Sequence, residues 1–218
     1  VIFVGGLTAR VEGEEMRIAA EGFAGGDRTS LDLPEPQETL LKALHATGKP
    51  VVFVLMNGSA VAVNWADENI PAIIEAWYPG GQGGDAVANL IAGDFSPAGR
   101  LPVTFYRSAD DLPGFSDYTM KGRTYRYFDG EVLYPFGYGL SYTTFEYGKP
   151  KLSRKSIKAD GETVVSIDVA NTGDMDGDEV VQLYVTHPGV SPSPIRALKG
   201  FERVAIKKGE TKTVSFTL

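Results

Sequence analysis

An α/β unit with a largely parallel sheet, followed by a small β-sandwich, is the fold class this sequence predicts. Three observations carry it. Continuous apolar stretches alternate with helical patterns over the first half of the chain. A Gly-, Pro- and aromatic-rich segment with little helical period follows at 108–145. From about Glu146, apolar residues alternate in the two-residue rhythm of strands.

The first element is the apolar strand "VIFV" at 1–4, and the next strands are Val51–Leu55, "VVFVL", and Ala72–Tyr78, "AIIEAWY". Between the first two lies "PEPQETLLKALHATGKP". Pro36 is tolerated in a first helical turn, Leu40, Leu41 and Leu44 share a face, and Gly48 with Pro50 ends the helix. "GGQGGDAVANLIAGDFSPAGRLP" supplies a glycine turn, a helix around Ala86–Ala92 and a second turn before "LPVTFY". Gly80, Gly81, Gly83 and Gly84 match neither a P-loop nor a dinucleotide fingerprint, so a tight structural turn is the expectation.

In the connector, Tyr118, Tyr125, Tyr127, Phe128, Tyr134, Phe136, Tyr138, Tyr142 and Phe145 are too many rings to leave all exposed, so the segment is expected to pack across a neighbour. Val165, Ile167 and Val169 then alternate on one face, as do Val181, Leu183 and Val185. Two further strands flank Gly209-Glu210. The expected division is 1–107 for the α/β part, 108–145 for the connector and 146–218 for the β part. Starting and stopping on strands, the chain reads as cut from something larger.

Of the 218 residues, 43% are hydrophobic and 22% charged, ordinary values for a globular protein. No uninterrupted apolar span predicts a membrane helix. The net charge of −7 argues against a nucleic-acid partner, which requires a concentrated positive face. The absence of cysteine removes thiolate catalysis, disulfides and cysteine-ligated metals. His45 and His187 form no ligand-spaced pair, so no metal site and no cofactor is expected. "VIFVGGL" has no signal-peptide pattern, and localisation and oligomeric state stay open.

Carboxylates are the remaining chemistry. "ARVEGEEMRIAAEG" at 9–22 places Glu12, Glu14, Glu15 and Glu21 beside Arg10 and Arg17. Crowded carboxylates raise one another's pKa toward the range of a proton donor, whereas arginines hold them ionised. A solvent-screened charge run is the plain alternative. The run follows the C-terminal end of a strand in a loop of roughly 28 residues, a length and place typical of functional loops. Acid/base chemistry by paired carboxylates needs a second one opposite the first. The sequence offers no convincing one.

The strings "GGDRTSLDLPEPQETLL" (25–41), "NGSAVAVNW" (57–65), "AWYPGGQGGDAVANLIAGDFSPAGRLPVTF" (76–105), "GRTYRYFDGEVLYPFGYGLSYTTF" (122–145), "VANTGDMDGDEVVQLYV" (169–185) and "LKGFERV" (198–204) together resemble the C-terminal half of a family 3 glycoside hydrolase. The resemblance implies the end of an α/β sandwich domain and then a fibronectin type III-like domain. A TIM-type barrel that carries an Asp nucleophile and most of the sugar pocket is missing from this chain. It places the acid/base Glu in "VEGEEM" and matches it to Glu14, with Glu12 and Glu15 as alternatives and Glu21 behind them. Thirteen positions separate Glu14 from Asp27, an insertion relative to the shorter glucosidase pattern. Asp27 and Arg28 match the family's Asp-Arg pair, expected as a buried ion pair or loop brace.

What the resemblance implies is retaining, exo-acting hydrolysis of a β-linked oligosaccharide or aryl glycoside. It leans to β-glucosidase over β-xylosidase, needs no cofactor, and leaves the isolated chain inactive without its barrel. A non-catalytic carbohydrate-binding or structural module is the rival reading. Trp65, Trp77, Tyr125, Tyr127 and Phe128 are expected to pack rather than to stack on sugar.

Overall fold

The computed structural model describes residues 1–12, 18–25 and 27–218. They form two compact units, Val1–Val87 with Val103–Phe136, and Ala88–Pro102 with Gly137–Leu218.

The elements of the first unit are β1 (Ile2–Gly6), β2 (Phe23–Ala24), β3 (Asp27–Arg28), α1 (Glu35–His45), β4 (Val52–Met56), α2 (Asn64–Asn69), β5 (Ala72–Glu75), the start of α3 (Gly83–Ala92), β6 (Phe105–Tyr106), α4 (Thr124–Tyr127) and β7 (Val132–Tyr134). β1, β4 and β5 make a wholly parallel sheet in the order β1-β4-β5. The central strand β4 buries Phe53, Val54 and Leu55, because both its edges and both its faces are covered. This is why its sequence is an unbroken apolar run. Phe3 pairs in register with Phe53 and their rings meet at 5.3 Å.

Helix α1 makes the crossover from β1 to β4. Leu41 is its buried residue, while Leu40 turns outward, so the apolar stripe is narrower than the sequence suggested. Gln37 of α1 clamps the last peptide of β1: Gly6 N–H donates to its Oε1 at 2.6 Å, and its Nε2 donates back to Gly6 O at 2.7 Å. Gly6 itself has φ +124°, and a Cβ there would lie 2.0 Å from the Met56 carbonyl oxygen. Only glycine fits that exit from the sheet.

β5 is shorter than predicted. Ala76 N–H still donates to Leu55 O at 2.9 Å, but the strand has ended at Glu75 and Trp77 is left-handed, with φ 53°. The glycine segment after it is a turn, closed by Gly83 N–H to Gly80 O at 2.9 Å, and it leads straight into α3. The connector carries short elements after all, including the four-residue α4. Arg123 donates to the carbonyls of Gly114 and Asp117 at 3.1 and 2.7 Å, and Tyr125 stacks on Phe136 at 4.2 Å. Phe105 is buried between Trp77 and Tyr134. Tyr118 departs from the expectation for the ring-rich segment, since 89% of it is exposed.

In the second unit, β8 (Phe145–Tyr147), β9 (Lys151–Leu152), β10 (Val164–Asn171) and β13 (Thr211–Thr217) form one antiparallel sheet around β10. β11 (Gly177–Val185) and β12 (Ala197–Ile206) form the other. Val169 and Val214 from the first sheet pack with Val181 and Ile206 from the second, so the core is that of a sandwich. Asn171 closes one end. Its side chain accepts from Thr143 Oγ1 at 2.7 Å and donates to the carbonyls of Met175 and Ile206, both at 2.9 Å. All sheets among the described residues are open, and none of the described helices is long and apolar enough to cross a membrane.

Candidate active site

Because β1, β4 and β5 run parallel, their C-terminal ends share one edge of the sheet. The segments leaving that edge begin at Leu7, Asn57 and Ala76. They meet around a cleft of about 370 Å³ lined by Ala9, Glu12, Asp27, Arg28, Gly58, Ser59 and Tyr78. Ligands of open α/β sheets bind beyond strand C-termini for this reason.

Glu12 is the hub. Its Oε2 accepts Gly58 N–H at 2.6 Å and the Tyr78 hydroxyl, and its Oε1 accepts the Ser59 hydroxyl. Arg28 Nη1 stands 3.6 Å from Oε1, with the two side chains only 13% and 9% exposed. An ion pair this buried is tolerable because every partner is also hydrogen-bonded. Arg28 further donates to the carbonyls of Ser30 at 3.0 Å and Asp32 at 3.3 Å. Burial lowers the Arg28 pKa, with Glu12 opposing the shift. Burial, and then the Glu12 contact, raises that of Tyr78.

Gly58 permits this convergence. A Cβ there would lie 2.6 Å from the Tyr78 ring and 3.0 Å from Glu12 Oε2. Close to the cleft, Glu75 accepts Trp77 N–H on Oε1 at 3.0 Å, while its Oε2 is sealed from solvent. Burial raises its pKa to about 7, and the Glu12 charge adds to the rise.

Glu14 and Glu15, like Met16, lie outside the described residues. Glu12 is in the cleft, and Glu21 is exposed and does not line it. Asp27 and Arg28 both line the cleft, not as a buried mutual pair, since Asp27 is exposed and the carboxylate that Arg28 engages is Glu12; Arg28 does brace its loop, through the carbonyls of Ser30 and Asp32. Trp65 and Trp77 do pack, Trp65 edge-on with His45 and Trp77 edge-on with Phe105. Sequence reasoning missed Ser59, Tyr78 and Glu75. They lie 47, 66 and 63 positions from Glu12 in the chain, and no local pattern marks them. Among the described residues, no group of three or more His, Asp or Glu side chains is arranged to hold a metal.

Residues 1–142 match the glycosyl hydrolase family 3 C-terminal domain, and residues 179–218 match a fibronectin type III-like domain. A xylan 1,4-beta-xylosidase from Xylanibacter ruminicola is 51% identical over 219 residues, covering 100% of this chain and 25% of the relative. A periplasmic beta-glucosidase from Salmonella typhimurium is 42% identical, covering 97% of this chain and 29% of its own length. Among solved structures, a β-glucosidase from Erythrobacter marinus superposes on 100% of the chain with TM-score 0.85 and 41% identity, using 29% of its own chain. A Listeria innocua β-glucosidase in complex with glucose gives 0.82 at 32% identity, with 100% of this chain and 31% of its own covered. The chain thus spans a quarter to a third of the relatives it matches. It belongs to glycosyl hydrolase family 3, carrying that family's C-terminal domain followed by a fibronectin type III-like domain.

Proposed function

We propose that this chain supplies the general acid/base to a retaining, exo-acting β-glycoside hydrolase, with Glu14 as that residue. The nucleophile is an Asp on a barrel elsewhere in the protein. The observation that carries the reading is the saturation of Glu12. A carboxylate that accepts three hydrogen bonds and faces a guanidinium anchors a loop; it is not free to move a proton. Glu14 follows two residues after that anchor in the sequence.

In the first step the barrel Asp attacks the anomeric carbon while Glu14 gives its proton to the departing glycosidic oxygen. In the second, the ionised Glu14 takes a proton from water, which releases the sugar with retained β configuration. The two carboxyl groups must stand roughly 5–5.5 Å apart. The cleft's hydroxyls, guanidinium and exposed Asp27 carboxylate suit a neutral polyhydroxyl ligand. In this reading, residues 1–107 supply one wall of the site, 108–145 are the connector, and 146–218 have a supporting rather than a sugar-binding role.

The sugar is a terminal glucose or xylose. The sequence alone leaned to glucose. The 51% identity to a xylan 1,4-beta-xylosidase favours xylose as a second reading. Parallel kcat/KM on aryl β-glucoside and aryl β-xyloside, measured on the full-length protein and on these 218 residues alone, tests the proposal. It predicts a β-configured first product from the full-length protein and no turnover by the isolated chain. An α-configured product, or full activity from the isolated chain, would refute it.

A further inference from the structure

Glu75 does not line the cleft, yet the cleft's central contact traces back to it. We infer that Glu75 is a positioning residue: its carboxyl braces the left-handed turn at Trp77, and that turn seats Tyr78 on Glu12. The chain leaves β5 immediately after Glu75, so from Trp77 onward the backbone has no sheet partner. Trp77 N–H therefore turns back to Glu75 Oε1 at 3.0 Å. The φ of 53° is one that a bulky residue adopts only when its surroundings impose it. Two contacts impose it here: the Glu75 hydrogen bond on the backbone, and the edge-on packing of the indole against buried Phe105 at 6.0 Å. The next residue, Tyr78, then projects its hydroxyl to Glu12 Oε2, the same oxygen that accepts Gly58 N–H.

The surroundings of Glu75 favour the neutral acid. Oε2 is sealed from solvent; the Trp77 N–H and the fully buried Asn57 side chain beside it favour the ionised form, but burial outweighs them. The charged group that acts on Glu75 is Glu12, of like sign. Burial is the larger effect opposing ionisation, and the Glu12 charge adds to it. A neutral carboxyl can accept from Trp77 on one oxygen and offer its own proton from the other. Glutamine can mimic both functions, and leucine neither.

Two amides report on the two ends of this chain of contacts. Trp77 N–H reads the brace, and Gly58 N–H reads the seat of Glu12. Amide hydrogen exchange on the full-length protein with Glu75→Gln and Glu75→Leu tests the inference. Glu75→Gln is expected to keep both amides within about two-fold of wild type. Glu75→Leu, which preserves bulk but cannot accept, is expected to speed exchange at both by at least about ten-fold. Unchanged protection of Gly58 in Glu75→Leu, or its loss in Glu75→Gln, would overturn the inference. If Glu75→Leu does not fold, Glu75→Met, an unbranched side chain that offers no oxygen to Trp77 N–H, carries the test on the same two amides. Both should lose protection together, and loss at Trp77 alone would overturn the inference. None of these readouts uses a substrate, so they stand or fall separately from the glycosidase reading. The effect on turnover rests on that reading, with Glu75→Gln active and Glu75→Leu impaired in kcat more than in KM.

Discussion

At residue scale, Glu12 and Glu75 have opposite surroundings. Glu12 is ringed by donors. Glu75 is buried beside a neighbouring anion, with the Trp77 N–H and the Asn57 side chain too few to offset its burial. The folded-state pKa of Glu75, about 7, lies above its ordinary 4.5, so the native state holds a proton that the unfolded chain has released between those values. Stability from this group is therefore complete below about pH 4.5, declines up to pH 7 and stays lowered above it, with a ceiling of about 3 kcal/mol. Glu75→Gln removes the ionisation. Its thermal midpoint should exceed wild type at pH 8, and the gap should shrink toward pH 5. A gap that widens on acidification would reverse the assigned sign. Gly58 is the second residue-scale lever. Gly58→Ala forces a Cβ against the Tyr78 ring and Glu12 Oε2. A loss of about 1–3 kcal/mol is expected on denaturation, together with faster proteolysis in the 9–22 segment.

At the scale of elements, the parallel sheet matters because it aims three loop starts at one place. β1 is held there by a side chain of α1: with Gln37→Ala, the Gly6 N–H and C=O lose their partners in a half-buried position. Denaturation should register about 1–3 kcal/mol, and the cleft should loosen with it. The sandwich has its own clasp in Asn171, whose amide ties β10 to the loop before β11 and to the end of β12. Asn171→Ala should cost about 2–3 kcal/mol, since it strands buried carbonyls. Its effect on catalysis should be smaller than its effect on the melting of the β-sandwich.

Most elements were legible because each wrote a local period into the chain. "VVFVL" is unbroken because β4 is central, and Val165 and Val169 alternate because one face of β10 meets the core. The end of β5 was not legible. "AIIEAWY" stays apolar past Glu75 because Trp77 leaves the strand to pack on Phe105, a contact 28 positions away. The Arg28–Glu12 pair was obscured for a similar reason. Asp27 is adjacent in sequence, but on the two-residue strand β3 neighbouring side chains point to opposite faces, and Arg28 is the one that turns inward. Sequence alone could nominate the acidic loop. It could not show which of its carboxylates is tied down.

At the scale of the whole molecule, the chain spans 25% of the xylosidase and 29% of the glucosidase it resembles, and the proposed reaction requires a second carboxylate from elsewhere in the protein. The central claim is the division of labour along the acidic loop, with Glu12 as anchor and Glu14 as proton carrier. It is tested most directly by Glu14→Ala in the full-length protein, assayed on aryl β-glycosides of good and poor leaving group with and without azide. Hydrolysis of the poor leaving group should fall about 10²–10⁴-fold. With the good leaving group, the glycosyl-enzyme should accumulate and azide should restore turnover as a β-glycosyl azide. Glu12→Ala should impair both substrates without azide rescue. Ordinary activity in Glu14→Ala, or azide rescue in Glu12→Ala or Glu15→Ala instead, would contradict the account.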